Sequence, residues 1–184
     1  VIGVLVSGAG TNLQALLDAG LPVSAVASNT AGVQALERAE RASLKAAAFP
    51  LPDYADREAR DESMADWLAE HGVELVVCAG YMQLLTPGFL ARFRCINVHP
   101  SLLPAFPGLD AVGQALAAGA QETGVTIHFL DDGMDTGPVI AQERVAIEPG
   151  DTAETLYARI RAVEHRLLPH AVSLYLAGAI VSPP

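Results

Sequence analysis

Val1-Ile2-Gly3-Val4-Leu5-Val6-Ser7-Gly8-Ala9-Gly10-Thr11-Asn12-Leu13-Gln14 opens the chain. The apolar run Val1–Val6 lacks polar alternation, so it reads as a strand buried on both faces. Residues 7–12 form a glycine-bearing loop, and Leu13–Ala19 starts a helix. The pattern then repeats. Pro22–Ala27 reads as a strand, 32–43 as a helix and Ala46–Phe49 as a short strand. Asp56–His71 is a helix with Met64, Trp67 and Leu68 on one face, and Val73–Ala79 is the clearest buried strand. Pro87 opens a short helix to Phe93, followed by a strand at Cys95–Val98 and a helix over Asp110–Ala118. Val125–Leu130 and Val139–Val145 form a strand pair, and Thr152 caps a long helix reaching Ala177. Strands alternating with helices imply βαβ units. The fold class is α/β: a three-layer α/β/α arrangement around a mostly parallel twisted sheet. Its N-terminal half is Rossmann-like and its C-terminal strand pair is partly antiparallel. Residues 1–184 read as one domain, with halves meeting near residues 95–96. Pro183-Pro184 reads as a frayed end.

Composition narrows the class of function. The 184 residues carry a net charge of −10, with Lys45 the only lysine among eleven cations. That balance argues against general nucleic-acid binding, which needs a basic face. An anionic ligand must therefore be held by local donors, such as helix-start amides and individual arginines. No apolar run approaches the roughly 20 residues of a membrane span. Cys78 and Cys95 stand in apolar surroundings and lack metal-knuckle spacing, which points to a reducing, cytoplasmic setting.

Two stretches carry chemistry. Gly8-Ala9-Gly10-Thr11-Asn12 joins a strand to a helix, where glycines permit close backbone approach and the helix start offers amides. The third glycine of a dinucleotide fingerprint would fall at Leu13, and no Gly-Lys-Ser/Thr follows. A phosphate site and a plain turn capped by Thr11 or Asn12 both fit. The second stretch is Asn97-Val98-His99-Pro100-Ser101-Leu102-Leu103-Pro104. Asn97 and His99 share one side of a strand end, where α/β sheets place ligands. Asn can donate to a developing oxyanion, His can move protons near neutral pH, and Asp135 can orient an imidazole and favour its charged form. No metal is called for.

Other residues read more plainly. His71, His165 and His170 are structural, and Met64 and Trp67 belong to the core. Asp61-Glu62 is a solvated face, and Asp131 and Asp132 are solvated or turn residues. For His128, a supporting role at the site and a packing role both stand.

Taken together, Ser7–Gln14, Ala79–Met82, Asn97–Pro104, His128-Phe129, Asp135–Pro138 and Glu164-His165 resemble the folate-dependent phosphoribosylglycinamide formyltransferase family over nearly the whole length. The resemblance implies transfer of a formyl group from 10-formyltetrahydrofolate to glycinamide ribonucleotide. It implies that Gly8, Ala9, Gly10, Thr11 and Asn12 hold the ribonucleotide phosphate, and that Arg161-Ala162-Val163-Glu164 meets the same substrate, Glu164 at its ribose. Arg57 and Met82-Gln83-Leu84-Leu85 match positions around the folate. Asp131-Asp132-Gly133-Met134-Asp135 match the loop closing on its pterin. Asn97, His99 and Asp135 match the catalytic trio, with Asn97 also beside the folate. The family often has a basic residue where Gln83 stands, which leaves Arg57 as the main cation for the folate tail. A cis Leu103-Pro104 bond is implied as well. Small molecules are the expected partners, with no nucleic acid or membrane, and the protein is expected to be a monomer or homodimer. A relative using water, a sugar amine or initiator tRNA as acceptor is the alternative. Those relatives usually carry an extra domain, which this stretch of sequence lacks. A non-catalytic nucleotide- or folate-binding module would not need Asn97, His99 and Asp135 together.

Overall fold

The computed structural model describes residues 1–181, which form two compact units divided between Asn97 and Val98. Seven strands alternate with six α-helices: β1 (Ile2–Val6), α1 (Thr11–Asp18), β2 (Val23–Ser28), α2 (Gln34–Arg41), β3 (Lys45–Ala48), α3 (Arg57–Glu70), β4 (Leu75–Cys78), α4 (Pro87–Arg92), β5 (Arg94–His99), α5 (Ala111–Ala117), β6 (Glu122–Phe129), β7 (Val139–Ala146) and α6 (Ala153–Leu176). The strand order is β3-β2-β1-β4-β5-β6-β7. The α/β class, the mostly parallel sheet and the antiparallel C-terminal pair agree with the sequence reading. A 3-10 turn at Leu51–Asp53 precedes α3 and was not anticipated.

In the first unit β1 lies between β2 and β4, parallel to both, and β4 runs parallel to β5. Ile2, Val4, Leu5 and Val6 are fully buried, as a doubly covered strand requires. The chain winds outward from β1 to β3, then crosses back to β4 and continues to β5. Right-handed crossovers therefore place α1 and α2 on one face and α3 and α4 on the other. The direction of winding reverses between β1 and β4. In open α/β sheets that reversal opens the ligand crevice at the strands' carboxyl ends. The loop after β1 and the segment 79–86 after β4 thus flank the crevice.

In the second unit β6 and β7 form an antiparallel pair from Glu122↔Ala146 to His128↔Val139. Helix α6 packs on both strands, burying Leu156, Ile160, Leu168 and Val172. It runs unbroken through Pro169, from a capping box of Thr152 and Thr155 to Leu176. The expected extent to Ala177 holds within one residue.

Two local readings need correction. Helix α1 starts at Thr11, not Leu13. Its N-cap is Gly10 in the left-handed conformation, with no side-chain cap, so neither Thr11 nor Asn12 caps the turn. Asp61 is not on a solvated face: it is fully buried on α3 beside the equally buried Arg60, while Glu62 is exposed. The reading of Pro183-Pro184 lies outside the described residues.

Candidate functional site

At the end of β1 the chain turns sharply onto α1. Gly10 sits at φ 73°, and a Cβ there would lie 2.6 Å from Ala35 Cβ and 2.8 Å from Ala35 Cα. Glycine is thus required at position 10 by the left-handed turn and by the packing of α2. Gly8 differs: it is exposed, and nothing lies within 4 Å of a Cβ built on it. Two loop carbonyls are bound to α2. Ala35 N–H donates to Gly8 O at 3.0 Å, and Arg38 Nε donates to Ala9 O at 2.8 Å. Arg38 was missed by sequence reasoning. It is a cation one turn into a helix that bears on the glycine loop, and no local pattern announces that approach. The first-turn amides of α1 lack intrahelical acceptors by construction, which makes this end electropositive.

Segment 79–86 follows β4. Met82 N–H donates to Ser7 Oγ at 2.8 Å, and Ser7 Oγ donates to Asn29 Oδ1 at 2.5 Å. One hydroxyl thus ties the segment to the start of the glycine loop and to the end of β2. Met82, Gln83 and Leu84 are exposed and Leu85 is buried. Arg57 is exposed in the first turn of α3, behind the Asp56 cap.

At the end of β5, Asn97 is half-buried and His99 is buried, two residues apart on one strand. The second unit brings His99 and Asp135 together. His99 Nδ1 stands 3.5 Å from Asp135 Oδ2. That is ion-pair distance, though long for a strong hydrogen bond. His99 Nε2 lies 2.8 Å from the Phe106 carbonyl oxygen. A carbonyl only accepts, so Nε2 carries hydrogen and Nδ1 is the nitrogen turned to the carboxylate. Gly108 N–H also donates to Asp135 Oδ2, at 2.8 Å.

The other Asp135 oxygen faces His128 Nε2 at 3.7 Å, and His128 Nδ1 donates to Phe129 O at 2.9 Å. One carboxylate is therefore shared between two imidazoles. Burial lowers the His128 pKa, against the opposing pull of its bond to Phe129 O and of Asp135. His128 thus stands at the site, and it is fully buried too. Asp135 (φ 54°) and Phe106 (φ 52°) both hold left-handed backbone, a conformation costly for residues other than glycine. The Leu103-Pro104 bond is cis, as the resemblance implied.

Asp131 is a turn residue: its Oδ1 accepts from Gly133 N–H at 3.0 Å and from the Thr136 hydroxyl at 2.7 Å. Asp132 and Met134 are exposed in the same loop, and Gly133 is half-buried. On α6, Glu164 is buried, Ala162 is exposed, and Arg161 lies over the Tyr157 ring at 4.6 Å. His71 is structural, its Nδ1 2.7 Å from Trp67 O and its ring against Trp67. Among the described residues no cluster of three His, Cys, Asp or Glu is placed to hold a metal ion, and no helix is long and apolar enough to cross a membrane.

A reversal-point crevice beside an electropositive helix start, in a chain that also aligns an imidazole with a carboxylate, suits the class of group-transfer α/β enzymes. The chain belongs to the formyl transferase family, whose pattern matches residues 1–172. It is 45% identical over 179 residues to the phosphoribosylglycinamide formyltransferase of Mycobacterium tuberculosis (strain ATCC 25618 / H37Rv), covering 92% of this chain and 82% of that relative. Its fold matches the crystal structure of glycinamide ribonucleotide transformylase 1 from Symbiobacterium toebii with a TM-score of 0.96 and 46% identity. That match covers 99% of this chain and 90% of the other. It is also 42% identical to part of the trifunctional purine biosynthetic protein adenosine-3 of Chironomus tentans, of which it spans only 14%.

Proposed function

We propose that the protein transfers the formyl group of 10-formyltetrahydrofolate to the amine of glycinamide ribonucleotide, a step of purine synthesis. The observation that carries the reading is the His99–Asp135 pair at the end of β5, fixed by Phe106 O and Gly108 N–H, with Asn97 two residues upstream. The names of the relatives supply the acceptor.

In this reading the amine attacks the formyl carbon and a C–N bond forms. The tetrahedral intermediate places negative charge on the formyl oxygen, where Asn97 and a protonated His99 donate. The bond to the folate nitrogen then breaks as that nitrogen takes up the proton lost by the amine, with Asp135 and a water as relay. The transfer needs no covalent enzyme intermediate. His99 Nε2–H serves the formyl oxygen only once the Phe106 carbonyl releases it. Gly8–Asn12 hold the acceptor phosphate, and Arg161–Glu164 meet the same substrate. Arg57, Met82–Leu85 and Asp131–Asp135 hold the folate. The chain works as one formyltransferase domain, monomeric or dimeric, in the cytoplasm.

Mixing the protein with both substrates tests this. Tetrahydrofolate and formylated ribonucleotide should appear in equal amounts, and neither without the acceptor. Tetrahydrofolate released with no acceptor present would assign the chain to hydrolysis instead.

A further inference from the structure

Arg60 and Asp61 are neighbours on α3, and both side chains are wholly buried. Arg60 Nε donates to Asp61 Oδ1 at 2.6 Å. Asp61 Oδ2 accepts the Thr86 amide at 2.8 Å, just where Thr86 caps α4. Arg60 Nη1 donates to Gln83 Oε1 at 3.4 Å. Arg60 Nη2 has no hydrogen-bond partner among the described residues, and neither does the buried Tyr81 hydroxyl. A buried ion pair recovers its desolvation cost only when its remaining donors are satisfied. This one leaves a guanidinium nitrogen unused, so stability is a poor account of it. What the pair does achieve is geometric. It fixes two points of the irregular segment between β4 and α4, one at Gln83 and one at Thr86. Ser7 fixes a third at Met82. Met82, Gln83 and Leu84 are exposed, and of Met82–Leu85 only Leu85 is buried.

We infer that Arg60 is a positioning residue for the formyl donor. With Asp61 it braces Gln83–Thr86 from beneath, so that Met82–Leu85 present a preset main chain to the folate. The inference rests on the proposed placement of the donor along Met82–Leu85. It also explains what Gln83 does, because its side chain is the acceptor through which Arg60 reaches the segment. A guanidinium suits this brace because its fork can serve Asp61 and Gln83 at once, which a lysine ammonium on a flexible stem cannot do as well.

The test combines amide hydrogen exchange of the substrate-free protein with steady-state kinetics for Arg60→Met, Arg60→Lys and Gln83→Leu. Arg60→Met leaves the Asp61 charge buried and unpaired, which can prevent folding. Gln83→Leu leaves the ion pair intact and removes its hold on the segment, and exchange of the substrate-free protein reads that loss apart from any contact the Gln83 side chain makes to the folate. In Gln83→Leu, exchange at residues 82–86 should quicken and the donor KM should rise roughly tenfold, the scale of one hydrogen bond to a charged group. The acceptor KM should stay within about twofold. Arg60→Lys should fall between wild type and Arg60→Met. Unchanged exchange in Gln83→Leu would overturn the brace. Faster exchange with the donor KM unmoved would overturn the positioning role and, with it, the placement of the donor on this segment. A parallel rise of both KM values would mean general loosening and also count against it. Absence of formyl transfer in the wild type would defeat the proposed function, while the exchange result would still report on the brace.

Discussion

After β1 the chain reaches α1 through residues 7–10 alone, entering through Gly10 at φ 73°. After β5 it takes residues 100–110 to reach α5, passing left-handed backbone at Phe106 and Asp110. The first loop is mostly main chain: two carbonyls tied to α2, a helix start, and Gly8 open to solvent. The second surrounds named side chains with main-chain partners: Phe106 O on His99 and Gly108 N–H on Asp135. The contrast fits the division of labour in the proposed function. A phosphate needs several modest donors and tolerates variation among them. Proton movement needs one imidazole in one tautomer, and strained backbone is a cost borne where geometry must be fixed.

The division can be broken most sharply at Asp135. Asp135→Ala removes the group facing both His99 and His128, so turnover should fall by about two orders of magnitude, the low end for a positioned acid–base system. Steady-state rates at saturating substrates check this. The fall should appear in kcat with the acceptor KM little changed, because the glycine loop is untouched.

The two glycines of the first loop should respond in opposite ways. Gly10→Val forces a β-branched residue into left-handed backbone against Ala35, so it should lose at least ~1–3 kcal/mol of stability. Gly8→Val meets open space in the protein and should keep wild-type stability. It should nonetheless raise the acceptor KM roughly tenfold, by displacing an anion from the helix start. Chemical denaturation and acceptor titration together separate the two. A Gly8→Val protein that binds glycinamide ribonucleotide normally would remove the phosphate from this loop.

The smallest expected effect concerns pH. Burial lowers the His128 pKa. Below about pH 6.5 the unfolded chain's His128 takes up a proton that the folded protein still refuses. Protonation therefore favours the unfolded state, and stability falls as pH drops from there toward the folded pKa. His165 is shifted in the same direction, chiefly by burial. Replacing one histidine isolates its share, so thermal midpoints in His128→Gln should decline less between pH 7 and pH 5 than in wild type. Parallel profiles would show that His128 does not carry this dependence.

The alternating strands and helices were legible because apolar runs and glycine turns are local signals. The end of β5 was legible for the same reason, as Pro100 and Pro104 stop the strand beside His99. Asp61 was misread because its surroundings are not local. A carboxylate in a polar helix looks solvated until Thr86, 25 residues on, supplies an amide to it. The partners of His99 and Asp135 were hidden for another reason: they are main-chain groups of Phe106 and Gly108, and any sequence carries such groups. Gly10 was recognised, but its reason was incomplete, because Ala35 becomes its neighbour only once α2 packs.

The most direct test of the account is single-turnover formyl transfer by His99→Ala with both substrates saturating. His99→Ala should react about two to four orders of magnitude more slowly than wild type, with binding of both substrates and the folded structure retained. A variant that keeps a third of the wild-type rate would contradict it.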